Sequence, residues 1–177
     1  MEITGVEYVG PAFIGQSDDF ARLDMALLRL GAPLDAAFVQ PQGLALTATP
    51  LAREDKVTVI GFPGSALIYD RTGVPPPGHE LEQVLIDVFD RRFGYKRCAP
   101  GRVSGLPGTD PRDTKQWAVV HDASTLGGNS GSPVLTLKDG KAQVSALHFY
   151  GEQRKANFAH VMERLADVLA GWSIALH

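Results

Sequence analysis

The 177-residue sequence has very little cysteine. A single residue, Cys98, excludes a disulfide bond within the chain and is compatible with a reducing compartment such as the cytoplasm. The sequence also lacks an apolar run of the roughly 20 residues that span a membrane, so we expect no membrane partner. Its first residues lack the basic and apolar regions of a signal peptide.

An excess of basic residues is also missing. The 17 Lys and Arg residues are outnumbered by 20 Asp and Glu residues, which gives a net charge of −3 and no reason to expect nucleic acid as a partner. No Cys/His cluster has the spacing of metal ligands. The glycine-rich stretch 127–131 lacks the Lys-Ser/Thr pair of a phosphate-binding loop, so we expect neither a metal nor another cofactor.

The sequence does contain many turn-forming residues. Its 19 glycines and 12 prolines fit a chain of strands and turns better than a helical bundle, and 44% hydrophobic residues suffice for a packed core. Apolar residues recur with helical spacing in only two longer stretches. These predict an inserted helix at about 80–93 and a C-terminal helix at about 158–170.

The stretch 125–134, Thr-Leu-Gly-Gly-Asn-Ser-Gly-Ser-Pro-Val, predicts a tight turn that enters a strand. Glycine permits positive φ and close approach of another backbone. A serine fixed at such a bend, Ser130, can present its Oγ outward while backbone N–H groups converge beside it, as around a nucleophile and its oxyanion hole. The alternative interpretation is a hairpin turn of small polar residues.

Residues 128–134 resemble the nucleophile motif of trypsin-like (chymotrypsin-fold) serine peptidases, in the bacterial form that has Asn before the serine. The segment 24–30, Asp-Met-Ala-Leu-Leu-Arg-Leu, is similar to the aspartate strand of that family. The resemblance implies an all-β, trypsin-like double β-barrel. Residues 1–50 would form a partial first barrel and the crossover, and residues 51–177 a complete second barrel with the two helices.

The resemblance also implies a role for each matching residue. Ser130 would be the nucleophile, Asp24 would orient the catalytic base, and the N–H groups of Gly128 and Ser130 would form the oxyanion hole. Thr125 and His148 are similar to a hydroxyl and a histidine that receive the substrate carboxylate in glutamyl endopeptidases, which implies cleavage after acidic residues. Alternatively, His148 is a half-buried sheet residue bonded to a carbonyl.

The catalytic histidine of that family is missing, because it precedes the aspartate and all five histidines of this sequence follow Asp24. We therefore expect a preceding polypeptide segment to supply the base and to complete the first barrel. On this interpretation the chain is the nucleophile-bearing portion of a serine endopeptidase acting on proteins or peptides, and is inactive alone. The alternative is a protease-like module that binds peptides or a partner without turnover.

Overall fold

The computed structural model describes residues 1–9, 19–35, 37–64, 87, 89, 90, 92–152 and 155–177. Within these residues the chain is almost entirely strand and loop, as expected for an all-β protein. The elements in chain order are β1 (Ile3–Val9), β2 (Ala26–Leu30), β3 (Ala45–Leu46), β4 (Lys56–Gly61), β5 (Arg97–Gly105), β6 (Ala118–His121), β7 (Pro133–Lys138), β8 (Lys141–Glu152), β9 (Ala156–Val161), a 3₁₀ turn (Glu163–Leu165) and α1 (Ala166–Gly171).

Seven of these strands form the larger sheet, in the order β3-β8-β7-β4-β5-β6-β9. An additional pairing between β8 and β9 closes six of them into a barrel. Neighbours in the barrel are antiparallel, whereas the short β3 adds to β8 in parallel. Closure leaves no free edge among the six strands, so the barrel does not need another chain to complete it.

The barrel interior is filled by small and branched side chains. Strand β4 alternates, with Val57 and Val59 buried and Lys56 exposed, because successive side chains of a strand point to opposite faces. Buried valine and alanine side chains from all six strands fill the lumen of the barrel. The buried members are Val57, Val59, Val103, Val119, Ala123, Val134, Ala146, Ala159 and Val161.

Among the described residues, a smaller sheet is formed by β1 and β2, which pair antiparallel. Ile3 lies opposite Leu30 and Val6 lies opposite Leu28, so the four side chains share one face of this sheet. All four are between 44% and 57% exposed. A sheet of two strands is marginally stable by itself in water, so this part of the chain contrasts with the closed barrel.

The prediction of a helix over about 158–170 is wrong in its first half. Residues 156–161 form β9, and α1 spans only Ala166–Gly171. Because β9 pairs on both edges and is buried on both faces, its apolar residues form a nearly continuous run, and periodicity does not distinguish such a strand from a helix. The inserted helix at about 80–93 lies largely outside the described residues, and the division at residue 50 stays a prediction.

The helix α1 packs over one end of the barrel. Leu165 and Leu169 join Met162, Val144 and Leu135 in a second buried cluster, which also holds Leu23 from the segment before β2. This cluster fastens the 19–25 segment to the barrel. No helix in the described part of the chain is long and apolar enough to cross a membrane.

Candidate active site

Ser130 lies at the tip of the loop between β6 and β7, and its side chain is exposed. The two residues after the serine fasten the loop to β8: the N–H of Gly131 donates to the carbonyl of His148 (2.8 Å), and the N–H of His148 donates to the carbonyl of Ser132 (2.9 Å). Gly131 has φ +82°, which a residue with a side chain rarely adopts. The sequence therefore folds here into a fixed bend that presents a hydroxyl to solvent.

Two backbone N–H groups beside that hydroxyl are free to donate. Within the described residues, the amides of Gly128 and Ser130 make no hydrogen bond, whereas Asn129 N–H donates to the carbonyl of Leu126 (3.1 Å). Free amides next to an exposed serine are what stabilisation of an oxyanion requires. The expected nucleophile and the expected oxyanion-hole donors thus lie in one loop with the required groups available.

Close backbone packing holds Gly128 in place. Its φ is +95°, and a Cβ at this position would lie 2.8 Å from the nitrogen of Gly64 and 2.9 Å from the carbonyl oxygen of Phe62. The N–H of Gly64 also donates to the carbonyl of Gly127 (2.7 Å). The segment after β4 therefore packs directly against the loop at Gly127 and Gly128. Only glycine fits at position 128.

Asn129 supports the same loop from inside. Its side chain is buried, and its Nδ2 donates to the carbonyl of Leu126 (3.1 Å). Gly61 at the end of β4 makes room for it, because a Cβ there would overlap the side chains of Ser132 and Asn129. The residue before the serine is thus a structural amide in this chain.

Asp24 lies just before β2 and is half-buried. Burial raises the pKa of its carboxyl group. Its segment is anchored on the barrel: Phe20 is completely buried against the rings of Phe149 and Phe158, and its N–H donates to the carbonyl of Arg112 (3.2 Å). Asp24 is therefore held against the barrel although it precedes a strand of the other sheet.

A short series of contacts connects Asp24 with Ser130. The N–H of Asp24 donates to Nε2 of His160 on β9 (3.2 Å). The imidazole of His160 stacks on the ring of Phe149, with centroids 4.0 Å apart and planes 14° from parallel. The carbonyl oxygen of Phe149 accepts a long hydrogen bond from Ser130 Oγ (3.4 Å). Asp24 and Ser130 are thus both bound to the same stretch of β8 and β9.

His148 lies inside the barrel wall and is only 3% exposed. Its Nδ1 is 3.3 Å from Nε2 of His121, and its ring also donates to the carbonyl of Phe158. Burial lowers the pKa of His148 to about 4, and burial together with the neighbouring His148 lowers that of His121 to about 4. His148 is therefore a buried sheet residue rather than a half-buried one, and its role in a substrate pocket stays a prediction.

Thr125 is hydrogen-bonded to Asn157 rather than to His148. The hydroxyl of Thr125 donates to Oδ1 of Asn157, and Nδ2 of Asn157 donates to the carbonyl of Ala123 (2.9 Å). Asn157 lies opposite His121 in the sheet. The structure thus adds Asn157, a residue that sequence reasoning missed, as the hydrogen-bond partner of Thr125.

No histidine in the described part of the chain hydrogen-bonds to Ser130. His121, His148 and His160 are all buried and directed toward other groups. His177 lies in the chain end that pairs with Leu46 through its backbone, and His79 lies outside the described residues. The described residues therefore supply a hydroxyl, free amides and a carboxylate, without an adjacent base.

A family model described as a trypsin-like peptidase domain matches residues 3–143. The chain belongs to this family. A probable serine protease of Lysobacter enzymogenes is 31% identical over 149 residues, which are 82% of this chain and 37% of that protein. The trypsin-like domain described here thus spans little more than a third of the length of that relative.

One solved structure supports the trypsin-like fold. The inactivated protease paralogue S-I1 of the scabies mite is 14% identical and superposes with a TM-score of 0.57, covering 97% of this chain and 67% of that one. The inactive form of the Rv3671c protease of M. tuberculosis is 20% identical with a TM-score of 0.48, covering 74% of this chain and 54% of that one. The expected trypsin-like, all-β fold is confirmed, whereas the glutamyl-endopeptidase branch stays a prediction.

Two residues of this trypsin-like domain could not be recognised from the sequence. His160 was assigned to the start of a helix, and only its true place on β9 brings it to Asp24. Phe149 had no motif of its own, because its contribution is a main-chain carbonyl and a ring face. The pattern of apolar residues does not indicate the contact of His160 with Asp24 or that of Phe149 with Ser130.

Proposed function

We propose that the chain is the nucleophile-bearing portion of a serine endopeptidase, with Ser130 as nucleophile and Asp24 as the acid that orients the base. The exposed hydroxyl of Ser130, between the unused amides of Gly128 and Ser130 itself, carries this proposal. Proteins or peptides are the substrates. No step requires a metal or another cofactor.

The chemistry follows from these groups once an imidazole lies between Asp24 and Ser130. The imidazole removes the proton of the Ser130 hydroxyl as Oγ attacks the carbonyl carbon of the substrate. The amides of Gly128 and Ser130 donate to the oxyanion of the tetrahedral intermediate. The imidazolium then protonates the departing amine, and water, deprotonated by the same imidazole, releases the acyl group from Ser130. Asp24, as a carboxylate, stabilises the imidazolium.

The base comes from a segment that precedes the chain, either on the same polypeptide or on another after cleavage. The apolar face of β1 and β2, formed by Ile3, Val6, Leu28 and Leu30, supports this proposal because it is exposed and belongs to a sheet of two strands. Further strands added to this sheet would bury that face and pair its edges. A segment docked there would also lie next to Asp24, which precedes β2.

A fluorophosphonate probe tests the proposed nucleophile, because it bonds to an activated serine with loss of fluoride. The probe is applied to the protein with its preceding encoded segment and to residues 1–177 alone. We expect labelling of Ser130 only in the longer protein, loss of labelling in Ser130→Ala, and no effect of the matched variant Ser124→Ala in the same loop. Labelling at another residue, or none in the longer protein, would contradict the peptidase proposal.

Cleavage after Glu, and more weakly Asp, is the proposed specificity. The proposed donors are the hydroxyl of Thr125, the amide of its hydrogen-bond partner Asn157 and the imidazole of His148. Donors of these kinds suit a carboxylate. Since the Thr125 hydroxyl and both ring nitrogens of His148 already have partners, acidic substrates must compete with them. A peptide library tests this: a preference for apolar residues before the cut bond would refute the proposal.

A second candidate is a protease-like module that binds peptides or a partner without turnover. The position of all five histidines after Asp24, with none bonded to Ser130 among the described residues, favours it. The two candidates differ in the fate of the bound peptide. If the longer protein binds peptides, leaves them intact and does not react with the probe, the binding module is the correct function.

A further inference from the structure

We propose that His160 is a positioning residue, which holds the main chain of Asp24 on the barrel and so sets where the Asp24 carboxylate lies relative to Ser130. The inference rests on the proposed function of Asp24 and Ser130. It adds a residue that neither the nucleophile motif nor the aspartate strand contains.

The geometry around His160 connects two parts of the chain that are far apart in sequence. Its Nε2 accepts the N–H of Asp24 at 3.2 Å, and 136 residues separate the two. Its ring lies face to face with Phe149, whose carbonyl accepts from Ser130 Oγ. His160 itself is fixed on β9, opposite Leu147 on one side and Ala118 on the other. The paired strands β8 and β9 therefore contact both Ser130 and Asp24.

Asp24 has few other constraints. Leu23 is buried in the cluster beneath α1, Met25 packs against that cluster, and Phe20 is buried among aromatic rings, but these apolar contacts make no hydrogen bond to Asp24. Within the described residues, the Asp24 carboxylate accepts no hydrogen bond. The bond to His160 is thus the contact that orients Asp24 itself.

A histidine at this position is costly for the fold. His160 has no exposed surface, and its Nδ1 is buried without a hydrogen-bond partner in the described structure. Since Nε2 accepts a hydrogen bond, the one proton of the neutral ring must be on Nδ1, and that donor is unsatisfied. Buried polar groups without partners are rare and disfavour the folded state. A phenylalanine would stack on Phe149 without this cost, so the acceptor Nε2 explains the histidine.

Burial also keeps the ring in the form that this function needs. An imidazolium cannot accept a hydrogen bond, and desolvation lowers the pKa of His160 to about 3. The ring is therefore neutral wherever a peptidase with an imidazole base would operate. Its role is to accept one N–H in a fixed direction, and it exchanges no proton with the substrate.

Two substitutions separate the acceptor from the packing. His160→Phe keeps a ring against Phe149 and removes the acceptor, whereas His160→Gln restores an acceptor oxygen at about the position of Nε2. We expect amide hydrogen exchange at Asp24 to accelerate at least about tenfold in His160→Phe, with the core amides of β4 unchanged, and to return toward the original rate in His160→Gln. This measurement needs no turnover.

The kinetic expectation concerns the longer, active protein. We expect His160→Phe to lower kcat by about 10–100-fold with little change in KM, because a displacement of about 1 Å in a positioning group costs rates of this order. His160→Gln should recover most of the loss. A purely structural role predicts instead faster exchange at all barrel amides, with no rescue by glutamine.

The outcomes distinguish this inference from the function on which it rests. Unchanged exchange at Asp24 in His160→Phe, or acceleration shared by every barrel amide, overturns the positioning role. Failure of the fluorophosphonate to label Ser130 in the longer protein overturns the proposed function, and with it the catalytic purpose of the contact. A third outcome would also refute the inference. In it, the probe labels Ser130 and His160→Phe accelerates exchange only at Asp24, but kcat of His160→Phe is unchanged.

Discussion

The closed barrel and the two-stranded sheet treat the same kind of side chain in opposite ways. In the barrel, Val59 and Val134 are 1% exposed, whereas Val6 and Leu30 in the small sheet are 56% and 52% exposed. Closure pairs every strand edge and encloses a lumen, which two strands cannot do. The barrel therefore closes on itself, whereas the small sheet leaves an apolar face exposed among the described residues.

The same difference separates the two halves of the proposed site. Ser130 and its free amides belong to a loop that is hydrogen-bonded to β8 and packed against the segment after β4. Asp24 instead depends on contacts made across to β9 and the aromatic cluster. The nucleophile loop is thus rigid by itself, whereas the acid is only as well placed as those contacts allow.

The largest expected effect is a loss of barrel stability at acid pH, because the buried histidines belong to the barrel and not to the small sheet. The pKa values of His121 and His148 are lowered to about 4 and that of His160 to about 3, chiefly by burial, from an ordinary value of 6.5. The unfolded chain then binds more protons than the folded barrel, so stability is complete above about pH 6.5 and falls as the pH drops toward 4. One such histidine corresponds to about 3 kcal/mol. Chemical denaturation between pH 7 and pH 4 measures this loss.

The control for the acid effect is His160→Phe, which lacks one of the three buried imidazoles. Below about pH 6, its unfolding should take up about one proton fewer than unfolding of the original protein. Its free energy of unfolding should therefore depend less steeply on pH. The exposed pair of Glu7 and Arg29, which lowers the pKa of Glu7, belongs to the small sheet, and its removal should leave the pH profile nearly unchanged. A pH-independent stability over this range would contradict the burial of neutral histidines.

The second prediction concerns a buried carboxylate beside the barrel. Asp113 is 3% exposed and accepts the N–H groups of Gly108, Trp117 and Ala118. Asp113→Ala should lower the free energy of unfolding by about 3 kcal/mol, because it leaves buried amides without a partner. The matched variant Asp167→Ala, at an exposed position of α1, should change it by less than about 0.5 kcal/mol. Equal effects from both variants would contradict the role of Asp113.

A third prediction tests the rigidity of the nucleophile loop through two adjacent glycines. Gly128 has positive φ and backbone atoms within 3 Å of its missing Cβ, whereas Gly127 has open space around it. Gly128→Ala should displace an oxyanion donor and slow probe labelling of Ser130 in the longer protein by about 10²-fold. Gly127→Ala should slow it by less than about threefold. The ratio of the two labelling rates is the measurement, and a ratio near one would show that the amide of Gly128 is not used.

The nucleophile loop could be predicted from sequence because its information is local. Glycines at 128 and 131 indicate positive φ, and both have it. The pair Asp139-Gly140 is typical of a tight hairpin turn, and both residues take positive φ between β7 and β8. Where a conformation is fixed by the residue that adopts it, the sequence was sufficient.

The remaining parts of the site depend on contacts between distant residues. The register of β8 against β9 brings His160 beside Phe149, and nothing near His160 in sequence indicates that pairing. The same strand was mistaken for a helix because burial on both faces removes the alternation by which strands are recognised. The partners of Thr125 and His148 were not predictable for the same reason.

The smallest expected effect gives the closest comparison of the two sheets. Valine and threonine are nearly isosteric, so Val→Thr adds a hydroxyl without creating a cavity. Val59→Thr buries that hydroxyl in the barrel and should cost about 1–3 kcal/mol of stability, whereas Val6→Thr leaves it in water and should cost almost nothing in residues 1–177. Denaturant titration of the two variants checks this. In the longer protein, Val6→Thr should become destabilising, because the proposed preceding segment would cover that face; if it stays neutral there, the segment does not pack on β1 and β2.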